Sequence, residues 1–315
     1  AMPLLMQRDK IWHARPLLNV SRQQLLNYAK THKLQWIEDD SNTDPAYDRN
    51  FFRQDILPKL EQRWPNITAT LTRVAAHQAE AVLLLDDLAE ADLLECVDEY
   101  GQRLHVVKLT NLSSARQTNI IRYWLRQLEL PVPDTRLMQE ILNKLLPARA
   151  DASPLVSWPG VEFRRYQNYL YAFKPLASHD EEHIENWHLE SLCHLGDGVL
   201  SARLEVGVGI NTSICQDKQL QVRYRRGGEK IQLPHREHRQ ELKKLFQEKG
   251  IPPWIRDRIP LLYIDEKLIA VAGLWIAGEA CSRKDEASWQ IHWTGLDRSE
   301  FKHINKDVEG NNDFQ

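Results

Sequence analysis

From Asn66 to about Cys96 the chain keeps helical spacing through Ile67, Leu71, Val74, Gln78, Val82, Leu85 and Ala89. Left unbroken, such a helix runs roughly 45 Å at 1.5 Å per residue. A rod of that length joins domains or forms the spine of a bundle. The 315 residues suffice for two or three domains with cores of their own. The expected organisation is 1–64, 65–178 and 179–299, followed by a polar tail, 300–315, expected to be disordered.

Pro65 closes the first segment. Within it Ile11 to Leu18 reads as a short strand-like run broken by Arg15 and Pro16. Ser21 opens a helix with Gln24 three residues on, a capping box, and Leu25, Tyr28 and Ala29 form its inner face. The acidic stretch WIEDDSNTDPAYDRNFFR, Trp36 to Arg53, carries five carboxylates and two arginines. Ser41, Asn42, Thr43 and Pro45 mark a turn. From Asp48 a helical stripe runs through Phe52, Ile56, Leu60 and Trp64. Arg49 and Arg53 lie four apart beside that stripe, and like charges so placed repel. Either the local aspartates or an outside phosphate must offset them. The plain alternative is an internal ion-pair network that pins the loop to the helix. So short an α/β piece cannot close a sheet and should expose apolar surface such as Leu17, Leu18 and Trp36.

After the long helix, Ser113 and Asp134 are plausible caps of two shorter helices. The first has the inner face Ile120, Ile121, Trp124, Leu125 and Leu128; the second has Leu137, Ile141 and Leu145. VEFRRYQNYLYAF, Val161 to Phe173, reads as a hairpin about Gln167-Asn168. It gathers Arg164, Arg165, Tyr166, Tyr169 and Tyr171. Arginines among aromatics suit RNA phosphates and bases; the alternative is a two-sided hairpin whose tyrosines pack on the helices.

Beyond a polar linker at Ser178 to Asn186 the period turns to strands: Leu200–Val208, Leu220–Tyr224, Ile259–Ile264, Leu268–Ile276 and Trp289–Trp293. Between two of these, Gln221 to Arg258 holds eleven cations against five acids, in a chain of net charge −3. A local excess that opposes the global sign favours binding to a phosphate backbone. Arg225, Arg226, Lys230, Arg236, Lys243 and Lys244 are the candidate contacts. Gly227-Gly228 supplies a turn whose amides can approach an anion. Leu242, Leu245 and Phe246 bury one side of the next helix, which Gly250 and Pro252-Pro253 end.

Several chemistries are disfavoured. Cys96, Cys193, Cys215 and Cys281 form no CxxC pair, so neither a zinc knuckle nor a disulfide framework is expected, and a reducing cytoplasm fits. Asp40-x-Asn42-x-Asp44 departs from a calcium loop at Pro45 and Phe51, and His235 with His238 lacks a third ligand. No metal is therefore expected on this chain. No apolar run is long enough for a membrane span. GxxxxGK[ST], SGGxDS and Gly-x-Ser-x-Gly are all absent.

Two blocks carry a family resemblance. RPLL, a helix and WIEDDSN…D…YDRNFFR resemble the end of the catalytic domain of bacterial tRNA(Ile)-lysidine synthetases. RYRRGGEKI…KKLFQEKGIPPWIRDRIPLLY resembles that family's C-terminal domain. The order of the two blocks is the family's order. The resemblance implies an α+β multidomain chain: the remnant of an α/β PP-loop ATPase domain, a helical middle domain with a β-hairpin, and a β-rich C-terminal domain.

It also implies a ligase that uses ATP and magnesium to join free lysine to C2 of the wobble cytidine of tRNA-Ile with a CAU anticodon, so that AUA is read instead of AUG. On this reading Arg49 and Arg53 lie at the pocket rim. Asp39, Asp40, Asn42, Asp48 and Asn50 shape the loop. Arg164 and Arg165 join the C-terminal cations in holding the tRNA. The resemblance begins late in the catalytic domain and lacks SGGxDS. The ATP-binding half is thus expected upstream of residue 1, and this chain alone is expected to bind tRNA without catalysis. A non-catalytic RNA-binding adaptor is the alternative, and a homodimer is left open.

Overall fold

The computed structural model describes residues 4–8, 11–37, 40–42, 44–149, 152–216, 218–234 and 236–296. Expectations placed on Glu38, Asp39, Thr43, the side chain of Asp40, His235 and the 300–315 tail fall outside the described residues. The chain divides into two compact units, 1–88 and 89–315. The long helix is continuous over Ile67–Cys96 and crosses that division.

The first unit pairs Leu5–Arg8 with Ile11–Ala14 as an antiparallel hairpin, where only the second strand was legible. Helix Arg22–Thr31 follows, with the Ser21–Gln24 capping box formed in both directions. On its intended inner face Leu25 and Tyr28 are exposed and Ala29 is half-buried. Leu17, Leu18, Trp36, Phe51, Phe52 and Trp64 are exposed as well, and Ile37 is 96% exposed. Asn50 is buried, but no apolar side chain among the described residues 11–88 is.

The helical stripe after Asp48 is not one regular helix. An α-helical turn, Asp48–Phe51, runs into a π-helical turn, Phe52–Ile56, and then into helix Leu57–Arg63. Pro58 is the physical reason: it has no N–H for the Gln54 carbonyl, and the backbone widens ahead of it. The Leu57 N–H accordingly reaches five residues back to the Phe52 carbonyl.

The second unit holds two cores. In the first, Ser114–Gln127 buries Ile120, Ile121, Trp124 and Leu125 completely. A helical stretch beginning at Thr135 adds Met138, Ile141 and Leu145, with the Asp134 carboxylate accepting from the Leu137 N–H at 2.8 Å. These helices pack on a four-stranded antiparallel sheet ordered Arg103–His105, Tyr169–Phe173, Val161–Tyr166, Leu155–Trp158. The expected hairpin about Gln167-Asn168 forms the centre of that sheet.

The other core lies among a five-stranded and a four-stranded antiparallel sheet. Lys267–Val271, Leu261–Ile264, Leu220–Arg223 and Ile184–Trp187 adjoin in the first. Ala287–Trp293 pairs with Gly198–Val206 in the second. Within this unit a third cluster joins the cores: Tyr166, Tyr171 and Phe173 of the middle sheet surround Trp254. Phe173 stacks on it at 5.9 Å, while Tyr171 and Tyr166 meet it edge-on at 5.3 and 6.2 Å. Among the described residues no helix is long and apolar enough to cross a membrane.

Candidate nucleic-acid interface

The acidic stretch folds as a loop tied to its own helix. The buried Asn50 amide donates to the Ser41 carbonyl at 2.8 Å and to the Asp44 carbonyl at 2.9 Å. The Gln54 amide donates to the Asn42 carbonyl at 3.2 Å. Asp44 Oδ1 accepts from the Ala46 N–H at 2.9 Å and closes the turn that Pro45 occupies. Asp40 begins a 3-10 turn that ends at Asn42, and Asp48 is exposed at the first helical turn. The Asn50 and Gln54 amides and the Asp44 carboxylate therefore pin this loop; Gln54 is not among the residues singled out from the sequence. Arg49 and Arg53 are exposed, and neither has an ion-pair partner among the described residues. Glu38, Asp39 and the Asp40 side chain, on which the alternative of an internal network rests, lie outside the described residues.

The central hairpin behaves differently from the RNA-facing expectation. Along Val161–Tyr166 the pleat turns alternate side chains to opposite faces. Arg165 falls on the face of Val161 and Phe163 and is only 7% exposed. Its guanidinium donates to the Leu146 carbonyl, just beyond the preceding helical stretch, and to the Gln167 carbonyl at 3.3 Å. Burial pushes its pKa down from the usual arginine value. Arg164 points the other way, pairs with Glu162 at 2.8 Å and lies 5.1 Å over the Trp254 ring. Tyr166 and Tyr171 are buried, and Tyr169 carries Arg103 over its face at 4.2 Å. Arg165 is therefore corrected from an RNA contact to an internal clamp, and Arg164 is taken up at the contact with Trp254.

The basic segment is also less free than its composition suggests. Arg225 pairs with Asp257 at 2.5 Å and approaches Glu229 at 3.7 Å. Arg236 pairs with Glu248 at 3.1 Å and also meets Gln240. Arg223 is held by Glu266. Arg256 is buried, donating to the Ile251 carbonyl and the Tyr166 hydroxyl, both at 2.8 Å. Arg258 pairs with Asp197 at 2.8 Å and reaches the Ala177 carbonyl at 2.5 Å. Arg225 and Arg236 thus already face the protein's own acids in this structure.

What stays open is a smaller set. Lys230 and Gln240–Glu241 share a two-stranded ladder, with Lys230 opposite Glu241. Helix Leu242–Glu248 follows directly, burying Leu242, Leu245 and Phe246 and leaving Lys243 and Lys244 exposed. Arg239, just before the ladder, is exposed too. Among the described residues none of Lys230, Arg239, Lys243 and Lys244 has an acidic partner within ion-pair distance. Arg226 is exposed, its guanidinium 3.3 Å from the Glu182 carbonyl. Arg239 is one of eleven cations in the run by sequence; its place beside the ladder, invisible in one sequence, distinguishes it. Lys230 and Arg239 line a cavity of about 250 Å3 together with Glu229, Tyr263 and the Lys267–Glu279 pair.

The described residues contain no group of three His, Cys, Asp or Glu side chains placed to hold a metal. Cys193 and Cys215 have thiols pushed up to about 11 by burial, so neither is an activated nucleophile.

Comparison with known proteins places the chain against three family models. Residues 1–60 match a PP-loop domain, 104–171 the TilS substrate binding domain, and 220–293 the TilS substrate C-terminal domain. The tRNA(Ile)-lysidine synthase of Coxiella burnetii is 39% identical over 293 residues, 92% of this chain and 65% of that protein. That of Methylococcus capsulatus is 39% identical over 285 residues, 89% of this chain and 64% of the relative. That of Serratia proteamaculans is 37% identical over 284 residues, again 89% of this chain and 63% of the relative. The chain thus spans somewhat less than two thirds of the length of these relatives.

Proposed function

Because the chain belongs to the tRNA(Ile)-lysidine synthase family, we propose that it holds the tRNA of a reaction in which lysine is joined to the wobble cytidine of tRNA-Ile. The observation that carries this reading is the set of exposed cations on the 220–293 segment without acidic partners among the described residues: Lys230, Arg239, Lys243 and Lys244. Cations left open on a chain of net negative charge lower the cost of approaching RNA phosphates, and the counterions released favour binding. Arg226 on the same segment is exposed as well.

Arg49 and Arg53 are proposed as a second phosphate contact, toward the tRNA or a bound polyphosphate. Their support is that two like charges sit close on one short helical stretch with no acid to offset them among the described residues. ATP and magnesium belong to the reaction named for the relatives' family. The residues present do not fit that pair by themselves: SGGxDS is absent from this chain, and no carboxylate group for a metal is assembled among the described residues. No step of ATP chemistry is therefore assigned to this chain.

The chain alone is expected to bind a CAU-anticodon tRNA-Ile transcript and to transfer no lysine to it when supplied with ATP, magnesium and labelled lysine. Fluorescence titration and acid-precipitable label read the two halves separately. Failure to bind sinks the tRNA reading, whereas lysine incorporation sinks the division of labour.

A further inference from the structure

The Arg225–Lys230 turn was expected to offer its amides to an anion, and in the free protein it already holds one. Glu229 Oε1 accepts from the N–H of Arg226 at 2.5 Å and from that of Gly227 at 2.9 Å. Two consecutive backbone amides converging on one oxygen make an anion nest, and the carboxylate oxygen stands where a phosphate oxygen would sit. Gly227 and Gly228 have φ of +100° and +84°, the left-handed region that this turn requires. A Cβ on either would meet nothing within 4 Å, so the outer side of the turn is open.

Glu229 fills the nest imperfectly. Its second oxygen, Oε2, and the Arg225 Nε are both buried without hydrogen-bond partners, although they face each other at 3.7 Å. Two complementary groups left just beyond bonding distance indicate that a planar carboxylate tied to the amides cannot also reach the guanidinium. A tetrahedral phosphate presents oxygens in more directions. Glu229 also borders the cavity lined by Lys230 and Arg239, which offers a displaced carboxylate two cations.

We propose that the Arg226–Gly227 amide nest is a phosphate site that Glu229 occupies in the free protein and gives up to a phosphate group of RNA. The exchange replaces one anion by another, so neither the amides nor Arg225 is left uncompensated. Glu229 then acts as an internal competitor that lowers apparent affinity by the fraction of nests it keeps filled. This rests on the tRNA-binding reading above for the source of the phosphate, while the anion site itself does not.

Glu229→Gln keeps the shape and removes the charge. The full chain carrying it is expected to bind tRNA tighter, by about tenfold, since a neutral amide holds the nest less strongly than a carboxylate. In amide-resolved NMR the Gly227 resonance should shift on adding inorganic phosphate, at lower concentration in the variant than in the wild type. Equal or weaker tRNA binding by the variant, with Gly227 unmoved by phosphate in wild type and variant alike, overturns the proposal. A phosphate-sensitive Gly227 in a chain that binds no tRNA keeps the anion site and removes the RNA reading. The wild-type phosphate titration requires no substitution and stands even if the variant misfolds.

Discussion

Trp254→Ala is expected to destabilise the 89–315 unit by about 3 kcal/mol, the lower range for losing a large aromatic from a packed site, and to split its unfolding in two. Trp254 is the piece of the C-terminal core that enters the aromatic cluster of the middle sheet, with Tyr166, Tyr171 and Phe173 around it and Arg164 over its face. Arg256 bonds the Tyr166 hydroxyl two residues on, and Arg258 fixes the Ala177 carbonyl and Asp197. With the ring removed the two cores keep their own interiors but lose the cluster that couples them. Calorimetry of the wild type should give one transition for this unit and of the variant two, while Trp254→Phe should stay near the wild type. A single transition with unchanged midpoint in Trp254→Ala would show that the cores are coupled elsewhere.

The second large effect concerns RNA. The triple variant Lys230→Ala, Lys243→Ala, Lys244→Ala is expected to weaken tRNA binding at low salt by roughly 10- to 100-fold and to flatten the plot of log affinity against log salt by about two to three units, near one per lost phosphate contact. Lys218, already paired with Asp265 at 2.6 Å and outside the cavity that Lys230 lines, serves as the control. Its removal should leave the slope within a fraction of a unit. The fold should survive the triple change, since all three side chains are exposed. A slope equal to that of the wild type would mean that these lysines are only solvated.

Much of this architecture was legible in the chain itself. Whereas strand Ile184–Trp187 begins inside the stretch expected to be a linker, the long helix at Ile67–Cys96, the Ser21 capping box and the hairpin about Gln167-Asn168 follow from local spacing and turn chemistry. So did the apolar surface left bare around Leu17, Leu18 and Trp36, because a piece that small cannot bury its own face. The candidate interface was legible only as a count of charges. Which cations remain open depends on acids far along the chain: Asp257 for Arg225, Glu266 for Arg223 and Asp197 for Arg258. A run of arginines shows none of those pairings. Arg165 was misread for a related reason. Alternation along its strand assigns it to a core face, but only the fold reveals that the Leu146 carbonyl waits there. Pro58 was a local signal for the widened turn ahead of it, overshadowed by the four-residue apolar stripe.

Lysine acylation of the full chain with and without saturating tRNA-Ile transcript, read residue by residue in a mass spectrometer, reports the proposed surface without any substitution. Lys230, Lys243 and Lys244 should lose most of their reactivity when the tRNA is bound, while Lys218 keeps its own. Full reactivity of those three in the complex, with protection elsewhere, would contradict the claim that this strip of the C-terminal sheet domain carries the RNA.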